Sequence, residues 1–258
     1  MATYDVPGER VILSQIPTEP PKEMIKEKIN LKTQNLVNRI GELQLALYAE
    51  KKHSILVILQ GMDASGKDST VKDVFASCNH LGVQAYAFKT PTEEEASHDF
   101  LWRAHRWTPE KGAIAIFVRS YYEEMLIQRV HKLISDKKAE NRMTEINAFE
   151  QLLQSDNDTV VLKFYLHISR KEQKKQLQDR IDDETKQWKH DPKDWKEAQL
   201  WDEYMSCYEY IINNSIIPWN IVPVDKRWYK DYMIASIVCD GLERLNPKLP
   251  TFRSGVLR

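Results

Sequence analysis

The sequence is poor in several features that define large functional classes. It has 3 cysteines in 258 residues, and Cys78, Cys207 and Cys239 show no metal-binding or redox spacing. That argues against a disulfide framework and fits small buried thiols in a reducing, cytoplasmic compartment. No apolar run approaches the ~18–20 residues that a membrane helix needs, and the opening stretch MATYDVPGER lacks the apolar core of a signal peptide. Neither sign of charge dominates: 37 Lys and Arg face 38 Asp and Glu, for a net charge of -1. Any site for a polyanion must therefore be a local concentration of cations. A nucleic-acid-binding role ranks last, because no base-stacking motif accompanies that near-neutral charge. The 7 histidines do not cluster as metal ligands. His98 and His105 can share a helix face, but no further ligand accompanies them. No internal repeat or low-complexity segment is visible.

What is present is a chain able to bury a sizeable core, with 42% hydrophobic and 29% charged residues, of a length that suits one α/β domain with decorations. The stretch SILVILQGMDASGKDST, 54–70, organises the rest. Its apolar, β-branched start reads as a buried parallel strand. Gly61, four intervening residues, Gly66 and Lys67 then give most of a P-loop. Glycines let backbone N–H groups turn inward around a phosphate, and a helix starting near Gly66 aims its positive end at the same place. The phosphate-binding candidates here are Gly61, Ala64, Ser65, Gly66, Asp68 and Ser69, with Lys67 as a mobile point charge. The eighth position is Asp68, where a Ser or Thr would normally hold the metal; Ser69 and Thr70 come late. Asp63, inside the loop, is the replacement ligand for Mg²⁺, which favours carboxylates together with phosphates.

Strand and helix patterns alternate along the chain. Prolines at 7, 17, 20 and 21 mark an extended arm over 1–21, and Ile25, Ile29, Leu36, Ile40, Leu43 and Leu47 give an amphipathic helix over 22–51. That helix lies on the domain's side or, on a sharper reading, forms an oligomer contact. Strands are expected at 54–60, 83–89, 113–118, 159–168 and 220–224. The P-loop helix is expected from Gly66 to Leu81, with Gly82 as its left-handed cap. Thr92-x-x-Glu95 and Ser169-x-x-Glu172 read as capping boxes, and Asp191-Pro192 as a helix start. Helices are expected over 98–106, after Ser120, from 170 to about 188, over 195–213 and over 228–245; 135–148 reads as loop, then helix. Prolines 247 and 250 mark a tail over 246–258. Alternation of this kind implies right-handed crossovers, hence a three-layer α/β/α fold on a central parallel five-stranded sheet. The ligand should lie beyond the C-terminal ends of the strands.

Several motifs, in order over roughly 22–245, resemble the family-2 polyphosphate kinases, P-loop proteins similar to thymidylate kinase. They are Gly61-Met62-Asp63-Ala64-Ser65-Gly66-Lys67, His98-Asp99-Phe100-Leu101-Trp102-Arg103-x-His105, Arg119-Ser120-Tyr121-Tyr122-Glu123, Trp195-Lys196, and Pro218-Trp219-x-Ile221-Val222-Pro223-x-Asp225-Lys226. The resemblance implies Mg²⁺-dependent, reversible phosphoryl transfer between inorganic polyphosphate and a nucleoside di- or monophosphate, in a homotetramer or dimer. Both substrates are polyanions, and the attacking phosphate oxygen is already ionised, so positive charge and alignment are needed rather than a general base. Lys67 and the loop amides would cradle one phosphate, Asp63 would hold the metal, and Arg119 would neutralise charge on the transferred group. A charge run such as Arg170, Lys171, Lys174, Lys175, Arg180 and Lys186 ordinarily marks a solvated face. The resemblance makes it a lid over about 169–196, with Arg180 as the reaching group. Arg103, His105, Arg106, Tyr122, Arg129 and Lys132 are further candidates for a polyanion groove, against ordinary ion pairs with neighbours such as Asp99 and Glu124.

One position departs from the family. Val118 stands before Arg119-Ser120, where the family carries Asp or sometimes Asn. This is the position of the second metal-orienting carboxylate in P-loop enzymes. Asp63 suffices alone, the chain is an inactivated variant, or Asp68 or Glu123 moves in. The expectation is binding of both substrates with slow turnover. The competing readings are an ATP-dependent nucleoside-monophosphate kinase and a non-catalytic nucleotide- or polyphosphate-binding protein.

Overall fold

β1, Ser54–Gln60, is buried along its whole length, as a continuous apolar run in the middle of a parallel sheet must be. A computed structural model describes residues 10–251. β1 is flanked by β3, Ile114–Val118, and β4, Thr159–His167, while β2, Val83–Ala87, and β5, Trp219–Pro223, form the edges. The order is β2-β3-β1-β4-β5 and every pairing is parallel. In register, Leu59 of β1 pairs with Val118 on one side and Phe164 on the other, so the P-loop and the residue after β3 emerge side by side.

Helices cover both faces. α1, Lys26–Glu50, and α10, Arg227–Leu245, pack against each other on one side. α5, Glu123–Val130, α6, Asp136–Asn157, and α9, Trp201–Asn214, pack together on the other. The core runs through Ile40, Leu47, Ile58, Phe117, Phe164, Ile234 and Leu242.

Several local expectations shift. The P-loop helix, α2, spans Lys67–Val74 and stops well short of Leu81. The chain then runs close under α1, where the Gln44 amide oxygen accepts the Asn79 N–H at 2.9 Å. Gly82 is not a left-handed cap. It closes a short 3-10 turn, His80–Gly82, and its lack of a side chain admits Gln44, whose Nε2 lies 2.2 Å from where a Cβ would stand. Of the helix expected over 98–106 only a single turn forms, α4, Trp102–His105, and a separate short helix, α3, Glu93–Ser97, precedes it. The capping box at Thr92 and Glu95 forms in both directions. The stretch 135–148 contains no long loop, because Ser135 caps α6 directly. The helix expected over 195–213 is divided into α8, Pro192–Glu197, a 3-10 turn, and α9.

The arm over 1–21 lies outside the described residues up to Glu9. From Arg10 it crosses the surface and is pinned. The Asn213 side chain accepts the Val11 N–H at 2.7 Å, Leu13 is buried, and the Thr18 hydroxyl donates to Asp225 at 2.8 Å. The tail is described only to Thr251.

α7, Arg170–Asp182, is capped by Ser169, whose hydroxyl accepts the Glu172 N–H at 3.1 Å. The reciprocal half of the expected box is taken elsewhere: the Ser169 N–H donates to Asp225 at 2.8 Å, and Glu172 accepts from Gln176 at 2.7 Å instead. Ser169→Ala is expected to cost about 1 kcal/mol, read as a lower urea midpoint with an unchanged slope.

Candidate active site

The sheet's C-terminal edge opens into a cleft of about 560 Å³. It is lined by the loop from Asp63 to Ser69, by Val118 and Arg119 after β3, by Glu172, Gln176 and Arg180 of α7, and by Arg227 and Lys230 of α10. Asp63, Lys67, Arg119 and Arg180 thus share one cavity.

The loop's shape comes from its backbone. Gly61, Ala64 and Gly66 have φ values of 151°, 67° and 90°. Gly61 is the position where this requires glycine most plainly, since the Leu166 carbonyl oxygen and Ser65 Oγ lie 2.8 and 2.9 Å from an added Cβ. Arg119 also adopts a left-handed φ, 62°, a conformation that costs a non-glycine residue of order 1 kcal/mol or more. Its N–H donates to Leu59 of β1 at 2.9 Å, so the strained residue is clamped to the strand feeding the P-loop.

Charges alternate across the cavity. The Arg119 guanidinium donates to the Asp63 carboxylate in an ion pair. Burial acts to raise the Asp63 pKa, but Arg119 and Lys67 outweigh it, and the carboxyl lies below its usual range. Lys67 is nearly enclosed, and its Nζ donates to the Gly61 and Met62 carbonyls at 2.7 and 3.1 Å. Burial, reinforced by Arg119, lowers its pKa to about 8. Arg180 donates to Asp194 at 2.6 Å. Burial and the neighbouring Asp63 push Asp194 upward against the pull of Arg180. Lys189 reaches Asp68 at 3.8 Å, and the Gln173 amide donates to the Asp63 carbonyl at 3.3 Å, so α7 and the turn after it rest directly on the P-loop.

Ser69 is already engaged: its hydroxyl accepts from Lys230 at 2.7 Å and donates to the Gly66 carbonyl at 2.9 Å. Lys230 also donates to the Gly66 carbonyl at 3.1 Å. Glu123 stands behind the cavity, where burial raises its pKa against the pull of Arg119 and Lys67. With its amide oriented to satisfy both ends, Gln60 donates to Glu123 at 2.9 Å and accepts from the Ser120 hydroxyl and N–H at 3.0 and 3.1 Å.

Six other candidates lie away from the cleft lining. Arg103 is buried; it donates to the Lys89 carbonyl at 2.8 Å and faces the Phe88 ring. It braces the loop after β2 from behind. His105 packs edge-on against Phe149, and Arg106 covers Trp102. Tyr122 is fully buried, with its hydroxyl bonded to Glu150. Arg129, paired with Asp136 at 3.0 Å, and Lys132 line a separate open groove beside α9.

Lys230, Arg227 and Asp194 were missing from the sequence reading. Lys230 and Arg227 were legible in principle, because they open the helix that leaves the C-terminal end of β5, the end where parallel sheets place ligands. Asp194 declares itself only by its pairing with Arg180 in the folded chain.

Residues 23–250 match the sequence profile of Polyphosphate kinase 2 (PPK2). The chain belongs to the polyphosphate kinase 2 family. Within that family, it is 41% identical over 218 residues to the AMP/ADP-polyphosphate phosphotransferase of Meiothermus ruber, covering 83% of this chain and 81% of the relative. It is 38% identical over 259 residues to the ADP-polyphosphate phosphotransferase of Rhodopseudomonas palustris, covering 94% and 89%. The crystal structure of polyphosphate kinase 2 from Arthrobacter aurescens TC1 superposes with a TM-score of 0.92 at 36% identity, over 96% of this chain and 91% of that one. The P-loop kinase fold expected from the sequence is therefore the fold of the family.

Proposed function

We propose that this chain transfers a phosphoryl group, reversibly, between inorganic polyphosphate and a nucleoside mono- or diphosphate. The observation that carries the reading is the convergence of Asp63, Lys67, Arg119 and Arg180 on one cleft at the P-loop, in a chain of this family. An oxygen of the nucleotide's terminal phosphate attacks the terminal phosphorus of polyphosphate. The new P–O bond forms as the terminal phosphoanhydride bond breaks, and the electron pair leaves with the shortened polyphosphate. No proton need be removed from an ionised phosphate, so the protein supplies alignment and charge.

Lys67 and the loop amides hold the phosphate nearest the P-loop. Arg119 presents two N–H groups to the transferring oxygens, a geometry lysine cannot match. Arg180, borne by the polar segment over about 169–196 acting as a lid, adds a second guanidinium from above, and Asp194 holds that arm in line. Among the described residues no group of three or more His, Cys, Asp and Glu side chains forms a metal site. One ionised carboxylate with substrate phosphates and waters is nevertheless a common donor set for magnesium, and Asp63 fits it, being held below its usual pKa at the mouth of the loop. Held there by Asp63, Mg²⁺ would neutralise charge on the substrate phosphates. Ser69 is less suited, since its oxygen already serves Lys230 and Gly66.

The direct test incubates purified protein with polyphosphate, Mg²⁺ and AMP, ADP, GMP or GDP, with products separated by anion exchange. Polyphosphate-dependent ATP or ADP is expected. Product only when ATP replaces polyphosphate would establish the nucleoside-monophosphate kinase instead, and retention of a fluorescent nucleotide without any product would establish a binding protein. Among the described residues no helix is long and apolar enough to cross a membrane. The exposed Leu31 and Leu45 of α1 suit a contact in a homodimer or tetramer, which light scattering tests.

The pH dependence follows from Lys67. Its amine carries charge below about 8 and loses it above, so kcat/KM for polyphosphate is expected to fall about tenfold per pH unit on the alkaline limb. Lys67→Arg should move that limb upward. For folding, the sign is opposite to that of a paired lysine. The native amine sheds its proton near 8 and the unfolded one near 10.5, so the unliganded protein gains stability from this group as pH rises between those values.

A further inference from the structure

Beneath Arg119 lies a group of ionisable side chains that takes no part in the chemistry above. Glu150 of α6 and Lys163 of β4 are both 0% exposed and form an ion pair at 2.7 Å. Tyr121 and Tyr122, which follow Arg119-Ser120 directly, both donate their hydroxyls to Glu150 Oε1 at 2.8 Å. Lys163 donates to Glu150 Oε2 and, at 2.9 Å, to the Tyr122 hydroxyl. The Lys163 ammonium also faces the Trp219 ring at 5.0 Å. Burial and Glu150 keep both phenols well above their ordinary pKa, so the tyrosines remain donors at any working pH.

A fully buried ion pair is an expensive way to fill a core, and apolar residues of similar volume are often as stabilising or more so. Its placement gives it a use. The segment 119–122 is fixed at its start by β1, through Arg119 N–H to Leu59 and Ser120 N–H to Gln60. At its end, two consecutive tyrosines converge on one carboxylate oxygen. Between these anchors Arg119 sits in its left-handed conformation. We propose that Glu150, held by Lys163 and gripped by Tyr121 and Tyr122, is a positioning residue that fixes the Arg119 backbone so that its guanidinium stays aimed at the transferring phosphate. This rests on the proposed phosphoryl transfer, and its test includes a measurement that does not.

Tyr121→Phe/Tyr122→Phe removes both hydrogen bonds to Glu150 Oε1, and with them the one that Lys163 donates to Tyr122, while keeping the rings that fill the core and the Glu150–Lys163 pair. Amide exchange at Arg119 and Ser120 is expected to quicken at least tenfold while exchange in β1 is unchanged, whether or not the protein turns over. In the assay, kcat should fall about tenfold, as misplacement of a transition-state group predicts, with KM for both substrates within about twofold. A second variant, Tyr121→Phe/Tyr122→Phe/Glu150→Leu/Lys163→Met, replaces the whole buried network by apolar residues, so that no hydroxyl is left without its acceptor, and should keep or raise the urea midpoint while kcat stays low. Unchanged exchange in the tyrosine variant would overturn the inference, as would a wild-type kcat in either variant. An inactive wild-type protein with quickened exchange in the variant would fault the proposed reaction and leave the anchor standing.

Discussion

Arg119→Ala is expected to lower kcat by about 10²–10³-fold, equivalent to roughly 3–4 kcal/mol of transition-state stabilisation, and Arg119→Lys to recover only part of it. The size follows from what the side chain does twice over. Toward substrate, the proposed role gives the guanidinium paired donors for an equatorial phosphate edge in a cleft where it is only partly exposed and charge is worth more than in bulk. Toward the protein, it neutralises Asp63. Without it, Asp63 retains Lys67 as a counter-charge, but burial, the opposing influence on its pKa, goes less opposed, and the carboxyl moves upward. Arg119→Ala should therefore also raise the Mg²⁺ concentration needed at low pH, whereas a residue acting only on polyphosphate binding would raise KM and leave kcat alone. Steady-state kinetics at saturating polyphosphate, nucleotide and Mg²⁺ distinguish the two. Full activity in Arg119→Lys would show that a point charge suffices.

The parts of the fold and the site that rest on local pattern were legible before the structure. The strands β1 and β3 are apolar runs buried on both faces, and the P-loop is a continuous motif whose residues meet because they are adjacent in the chain. The parts that depend on tertiary partners were not legible. The stretch 135–148 reads as loop, then helix, because Ser135, Asp136, Lys137 and Lys138 head α6; farther on, Glu150 interrupts the helix's buried stripe of Ala139, Met143, Ile146 and Leu153. A glutamate in a core position is unreadable without Lys163 opposite it. The same blindness put Arg103 and Tyr122 among the phosphate-binding candidates, since an arginine or a tyrosine in a motif gives no sign of facing inward to a carbonyl or a buried carboxylate. It also hid Lys230, which joins the site across 164 residues of chain. Gly82 carried the right residue for a cap and a different reason for being glycine, the close approach of α1.

Val118→Asp is the change expected to raise activity. Val118 ends β3, lines the cleft beside Arg119, and gives its carbonyl to the Phe88 N–H at 3.0 Å, so the backbone already holds a side chain at the mouth of the cavity. A valine there can neither bind a cation nor accept a hydrogen bond from a cation-bound water. A carboxylate would do both, with Arg119 and Lys67 close enough to offset its charge. If one electrostatic contact is missing from the transition state, restoring it is worth roughly 2.7–4 kcal/mol, or about 10²–10³-fold in kcat. The same substitution should cost about 1–3 kcal/mol of folding stability in the unliganded protein, because the new polar group sits where burial is nearly complete. That loss should shrink when Mg²⁺ and a nucleotide are added, since a ligand that binds only the native state adds stability by mass action. Faster turnover together with lower unliganded stability is therefore the expected signature. Equal rates for the two proteins at saturating Mg²⁺ would mean that Asp63 and the substrate phosphates already complete the coordination, and that the cleft as it stands is a finished active site.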